Sequence, residues 1–124
     1  MLVDLEKHSD VCVLRLHGRF ATGRDSAYLR DKTEELKGTG CSKIVADFTN
    51  VEYIDSTGIG FLIGIYTSVL KNSTGRFVLS NLNRRVREVL ELTRLAQVMP
   101  IYPNEESALN AVRSAQGAPS QQAS

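Results

Sequence analysis

Residues 44–48 read Ile-Val-Ala-Asp-Phe, a short and nearly uninterrupted apolar run. A strand with one wet face alternates apolar and polar side chains, whereas a run without alternation has to be covered on both faces. Coverage on both faces calls for a parallel sheet with crossover helices, because parallel neighbours cannot be joined by a tight turn. The rest of the chain meets that demand. Val11 to Leu16 is a strand-like run, and Leu2 to Lys7 alternates weakly enough to pair with it as an edge strand across a Ser9-Asp10 turn. His17-Gly18 ends the second strand. A helix from Asp25 carries Tyr28, Leu29, Thr33 and Leu36 on one stripe, and Gly38 and Gly40 stop it.

After residues 44–48, Thr49-Asn50 reads as a turn, with Val51, Tyr53 and Ile54 packing against the end of the sheet. The next helix begins near Thr57, with Ile59, Leu62, Ile63, Tyr66, Val69 and Leu70 as its apolar stripe, and it ends around Lys71-Asn72. Arg76 to Ser80 is the next strand. Asn81 or Asn83 caps a helix carrying Val86, Val89 and Leu90. Val98 to Tyr102 is a last strand, whose proline suits an edge. Asn104 caps a final helix with Glu105 and Glu106 in its first turn, where the helix dipole favours acids. The order is β-β-α-β-α-β-α-β-α. It predicts one α/β domain over residues 1–115, with a small, mostly parallel sheet and an antiparallel N-terminal strand. Residues 116–124 contain only Gly, Ala, Pro, Ser and Gln, the composition of a disordered tail.

Composition narrows the function. A formal net charge of +1 gives no general attraction to nucleic acid or membrane, and the absence of tryptophan with 6% aromatics argues against a base-stacking platform. The apolar stretch from Ile59 to Tyr66 is interrupted by Gly60 and Gly64 and falls well short of the roughly 20 residues a membrane span needs. Met1-Leu2-Val3-Asp4 lacks a signal-peptide pattern, so a cytoplasmic protein with Cys12 and Cys41 as reduced, buried thiols is expected. The arginines at 84, 85, 87 and 94 read as a solvated face or an interface rim.

The candidate chemistry lies in Asp55-Ser56-Thr57-Gly58-Ile59-Gly60. Functional groups of open α/β sheets gather in loops after strand C-termini, and a helix start stabilises a negative group. A phosphoryl group on Ser56 brings about −1.5 to −2 charges to that point. The competing local reading is that Asp55 or Ser56 is simply the helix N-cap, with the glycines allowing close approach to the sheet. The pattern is neither a dinucleotide fingerprint nor a P-loop. A hydrolase elbow would need glycine where Ile54 stands. His8 and His17 are the only histidines, and both lie far along the chain from Ser56. Asp47 and Asp55 are weak metal candidates. An enzyme, a metal and a cofactor are therefore not expected.

Val51 to Gly60 resembles the signature of STAS domains and, more narrowly, of bacterial anti-sigma factor antagonists. The likeness spans roughly Leu2 to Val112, taking in Ile44 to Phe48, Phe77-Val78-Leu79 with Asn81-Leu82, and Val89 to Leu95. The resemblance implies a partner-switching protein. Unphosphorylated, it binds an anti-sigma factor serine kinase and frees a sigma factor; that kinase, which holds the ATP and magnesium, phosphorylates it on Ser56, and a phosphatase resets it. Asp55, Thr57, Gly58, Ile59 and Gly60 would then form the docking surface. One segment departs from the family pattern. Where these antagonists carry Gly-Glu-(Leu/Ile)-Asp, this chain has Gly18-Arg19-Phe20-Ala21-Thr22-Gly23-Arg24-Asp25, longer by one residue and without the expected acid. Thr22 and Asp25 are the residues available to substitute. The alternative implied function is a constitutive STAS scaffold subunit of a larger signalling or transport complex. A weak homodimer through the first strands stays open.

Overall fold

The structure is a computed structural model and describes residues 2–20, 26–71 and 75–114. Its elements are β1 (Leu2–His8), β2 (Val11–Phe20), α1 (Ser26–Thr39), β3 (Lys43–Ile54), α2 (Ser56–Val69), β4 (Arg76–Ser80), α3 (Arg84–Leu92), β5 (Ile101–Tyr102) and α4 (Glu105–Ser114). The strands form one sheet in the order β1-β2-β3-β4-β5. β1 pairs antiparallel with β2, through the tight Ser9-Asp10 turn with Ser9 at φ 63°, and the other neighbours are parallel. The α/β class and the element order match the expectation. The expected tail, residues 116–124, lies outside the described residues.

Because the sheet grows strand by strand in one direction, the right-handed crossovers α1, α2 and α3 fall on one face. Cys12, Leu14 and Leu16 of β2, Ile44, Ala46 and Phe48 of β3, and Phe77 and Leu79 of β4 point to that face. They meet Leu29 and Leu36 of α1, Phe61, Leu62, Ile65 and Val69 of α2, and Val86 and Leu90 of α3. Complete burial of each such side chain is worth roughly 1.5–3 kcal/mol before entropy is counted. Among the described residues the opposite face is covered by α4 alone, whose Ala108 and Val112 pack on Val11, Val13, Val45 and Val78.

Three boundaries and one buried face differ from the sequence reading. β2 does not end at His17-Gly18, and Thr49-Asn50 is not a turn. Instead β2 and β3 both continue and pair with each other, His17 with Asn50, Gly18 with Val51 and Phe20 with Ile54. Two register shifts accommodate the extension, and Gly18 takes φ 96°, a conformation that favours glycine. Local turn propensity at Thr49-Asn50 is overridden by a pairing invisible to either segment alone. Third, α2 buries Gly58, Phe61, Leu62, Ile65 and Val69, while Ile63 and Leu70 are 41% and 47% exposed. The helix is apolar nearly all round, so periodicity alone could not select the face. Fourth, only Ile101 and Tyr102 form the last strand. Leu95–Gln97 is a 3-10 turn instead, entered through Arg94 in the left-handed region at φ 67°. Gly75 precedes β4 where a side chain has no room, since a Cβ there would lie 2.1 Å from the Val69 carbonyl oxygen.

Candidate functional site

β3 delivers its last residue, Ile54, to the end of the sheet, and α2 starts two residues later. Asp55 is the N-cap of α2. Its backbone is extended, at φ −127° and ψ −159°, and its Oδ1 accepts a 2.9 Å hydrogen bond from the Thr57 amide. The Asp55 carbonyl accepts the first helical bond, from Ile59 N, at 2.9 Å. Ser56 is therefore the first helical residue and not the cap. Its side chain is exposed, and among the described residues its hydroxyl makes no hydrogen bond. The first-turn amides of a helix have no partner within the helix, so the hydroxyl stands at a place that tolerates negative charge.

Of the residues expected around it, Thr57 and Ile59 are half-buried, Gly58 is buried and Gly60 is exposed. Of the glycines expected to approach the sheet closely, Gly58 is buried. At Gly60 and Gly64 a Cβ would meet nothing within 4 Å. These two instead help to line a cleft of about 330 Å³ between α1 and α2, together with Ser56, Thr57, Arg30 and Thr33. Thr22 and Asp25 lie outside the described residues.

The end of β3 that carries this loop is anchored to its neighbour by a residue whose reach is not visible in the sequence. Asn83 caps α3 through Oδ1, which accepts from Val86 N at 2.8 Å. Its amide nitrogen donates to the carbonyls of Val51 at 2.9 Å and Glu52 at 3.2 Å. The sequence identifies Asn83 only as a cap; its second function ties α3 to the β3 extension. Two residues further on, the Arg85 guanidinium lies 5.3 Å from the centre of the Tyr53 ring. Of the other arginines read as a solvated face, Arg84 pairs with Glu88 at 3.3 Å.

On the α4 side of the sheet, Asp47 collects a polar network. Its Oδ1 accepts from Thr49 N at 3.0 Å, Thr49 Oγ1 at 2.6 Å and Asn81 Nδ2 at 3.1 Å, and its Oδ2 accepts from Arg15 at 3.0 Å. Arg15 also bonds to Glu6, at 2.7 Å, and to Glu105. Burial pushes the Asp47 carboxyl up, but the bonds from Thr49, Asn81 and the Arg15 charge outweigh it and hold the group below the usual aspartate range. The hydrogen bond from Arg15 likewise lowers Glu6. Asp47 is thus a structural acceptor and Asp55 a cap, and no group of three metal-ligating side chains occurs among the described residues. The histidines are engaged elsewhere, His8 with Glu6 and His17 with Asp4, each at 3.2 Å. What the site presents is an exposed hydroxyl at the first helical residue of α2.

The STAS domain family matches residues 3–108. The chain is 28% identical over 107 residues to the anti-sigma F factor antagonist of Paenibacillus polymyxa, covering 86% of this chain and 91% of the relative. It is 32% identical over 95 residues to the anti-sigma-B factor antagonist of Listeria monocytogenes, covering 73% of this chain and 82% of the relative. This chain belongs to the STAS-domain anti-sigma factor antagonists. Among solved structures, the Bacillus cell fate determinant SpoIIAA in its phosphorylated form superimposes with a TM-score of 0.68 at 25% identity, covering 90% of this chain and all of that one. The STAS frame puts the Asp55–Gly60 segment at the C-terminal edge of a central strand, where loops of α/β sheets carry function.

Proposed function

We propose that this antagonist is switched by phosphorylation of Ser56, and that its unphosphorylated form binds an anti-sigma factor serine kinase in the cytoplasm and so releases a sigma factor. The observation that carries the reading is the division of labour at the start of α2. Asp55 does the capping, which leaves the Ser56 hydroxyl exposed and unbonded among the described residues. The phosphorylated state of the SpoIIAA structure supports the same chemistry in a relative. Asp55, Thr57, Gly58, Ile59 and Gly60 flank the acceptor and form the docking surface; Thr22 and Asp25, expected from the resemblance to contribute, lie outside the described residues. The surface from Ser56 to Gly60 carries no charged side chain. A phosphate introduced there and buried unpaired against a partner matched to a hydroxyl costs about 2–5 kcal/mol, a 30-fold to several-thousand-fold loss of affinity. ATP and magnesium are supplied by the kinase, and the antagonist is its substrate. A phosphatase that removes the group resets the switch. Among the described residues no helix is long and apolar enough to cross a membrane.

The test is binding to the anti-sigma kinase of the same cells by calorimetry. Ser56→Ala retains wild-type affinity, and Ser56→Asp loses it while keeping the wild-type circular dichroism spectrum. Equal binding by Ser56→Asp would remove the switch and favour a constitutive scaffold.

A further inference from the structure

The two cysteines come together at the other end of β3. Cys12, in β2, is completely buried and faces the helical side of the sheet, where Cys41, in the connection from α1 to β3, packs against the same apolar cluster. Both are free thiols. Thr39 holds them. Its Oγ1 accepts from Cys12 Sγ at 3.6 Å and from the Cys41 amide at 3.1 Å, and itself donates to the Leu36 carbonyl at 2.6 Å. The thiols differ in access. Cys41 is half-buried and lines a cavity of about 160 Å³ between the C-terminal halves of α1 and α2, beside Thr33, Lys37 and Ser42. Burial pushes the Cys12 thiol up to about 11, and the neighbouring Cys41 adds to the rise, so Cys12 is a protonated, shielded sulfur.

We propose that Cys41 and Cys12 are a redox-active dithiol that reduces a small hydroperoxide and closes to an intramolecular disulfide. Cys41, reached through the cavity, attacks one peroxide oxygen as its thiolate. The S–O bond forms and the O–O bond breaks. The departing oxygen leaves as water (or as an alcohol from an organic peroxide), taking up the proton that Cys41 gave up and leaving a sulfenic acid on Cys41. Cys12 sulfur then attacks Cys41 sulfur. The S–S bond forms, the S–O bond breaks, and the hydroxyl leaves as water with the proton of the Cys12 thiol. Two thiols lose two electrons and the peroxide gains them. Thr39, the acceptor of the Cys12 S–H, is the positioning residue. The bond would tie β2 to the α1–β3 connection. Cys41 shares its cavity with Ile65, Ser68 and Val69 in the C-terminal half of α2, whereas Ser56 opens that helix, about 20 Å away at the ordinary rise of 14 helical residues. The dithiol and the Ser56 hydroxyl thus lie at opposite ends of α2.

The reduced full-length protein is treated with one equivalent of hydrogen peroxide at neutral pH, unfolded in iodoacetamide, and weighed intact and after digestion. The expected wild-type product is a monomer lighter by two hydrogen atoms that takes up no alkyl group and yields one peptide pair joined through Cys12 and Cys41. Cys12→Ser stops at a sulfenic acid on Cys41, trapped by dimedone. In Cys41→Ser, Cys12 oxidises roughly tenfold more slowly or worse, as its burial requires. Cys12→Ala serves in place of Cys12→Ser if the hydroxyl is not tolerated in the core. The proposal is overturned if both wild-type thiols are alkylated under conditions that oxidise glutathione in the same tube. It is equally overturned if the only products are intermolecular dimers or a sulfinic acid, or if Cys12 oxidises as fast without Cys41 as with it.

Discussion

The starts of α2 and α3 use the same local chemistry to opposite ends. Each is capped by an Asx side chain: Asp55 accepts from Thr57 N at 2.9 Å, and Asn83 accepts from Val86 N at 2.8 Å. At α3 the capping residue also turns inward and binds the carbonyls of Val51 and Glu52. The loop before it is held as well, because Asn81, in the left-handed region at φ 60°, donates to Asp47. At α2 the first helical residue is a bare hydroxyl turned to solvent. One helix start is a staple and the other a display. A side-chain cap is therefore compatible with either role. The further reach of the capping side chain, and the residue placed directly after it, decide between them.

Four substitutions separate the staple from the display, taken from the largest expected effect downward. Asp47→Ala strips the acceptor from Thr49, Asn81 and Arg15 together and leaves Arg15 facing only Glu6 and Glu105. A loss of about 3 kcal/mol in urea unfolding is expected, with loosened amide protection in the β4–α3 loop. Asn83→Ala removes a cap and two cross-links to β3 and costs about 2 kcal/mol. Asp55→Ala removes the cap, for about 1 kcal/mol. Ser56→Ala changes stability by less than about 0.5 kcal/mol, because its hydroxyl holds nothing in place among the described residues. A loss above about 1 kcal/mol at Ser56 would make it part of the fold and blur the contrast.

Acid sharpens the same comparison. Asp47 has its folded pKa below the unfolded value of about 3.9, so the folded state binds its proton less readily than the unfolded chain does. Its contribution is fully present above about pH 4 and is lost as pH falls through the lower folded value. Glu6 acts in the same direction, more weakly because it is largely exposed. Acid unfolding monitored by circular dichroism should thus show a shallower loss of stability below about pH 4 in Asp47→Asn than in wild type. An unchanged acid limb would remove Asp47 from the staple.

Much of this was legible in the residues and some was not, for physical reasons. The alternation of short apolar runs with helical stripes located the five strands and four α-helices, although two of the residue pairs read as their ends, His17-Gly18 and Thr49-Asn50, are paired strand instead. The Ser56 loop was legible because the chain must leave a central strand there. The extension of β3 past Thr49-Asn50 was not, since it exists only through pairing with the extended β2. The buried face of α2 was hidden by a helix apolar on nearly every side, and the reach of Asn83 to Val51 and Glu52 spans more than thirty residues. The Arg15–Asp47–Glu105 network joins three elements that no local pattern connects.

The central claim is that Ser56 accepts a phosphoryl group from a partner kinase. The most direct measurement is the intact mass and phosphopeptide map of the protein after incubation with ATP, magnesium and the anti-sigma kinase of its own cells, alongside Ser56→Ala. The account predicts one added phosphoryl group, mapped to Ser56 and absent from the variant. A kinase that is active on itself or on a control substrate yet leaves Ser56 unmodified, or an equal gain of mass in Ser56→Ala, would contradict it.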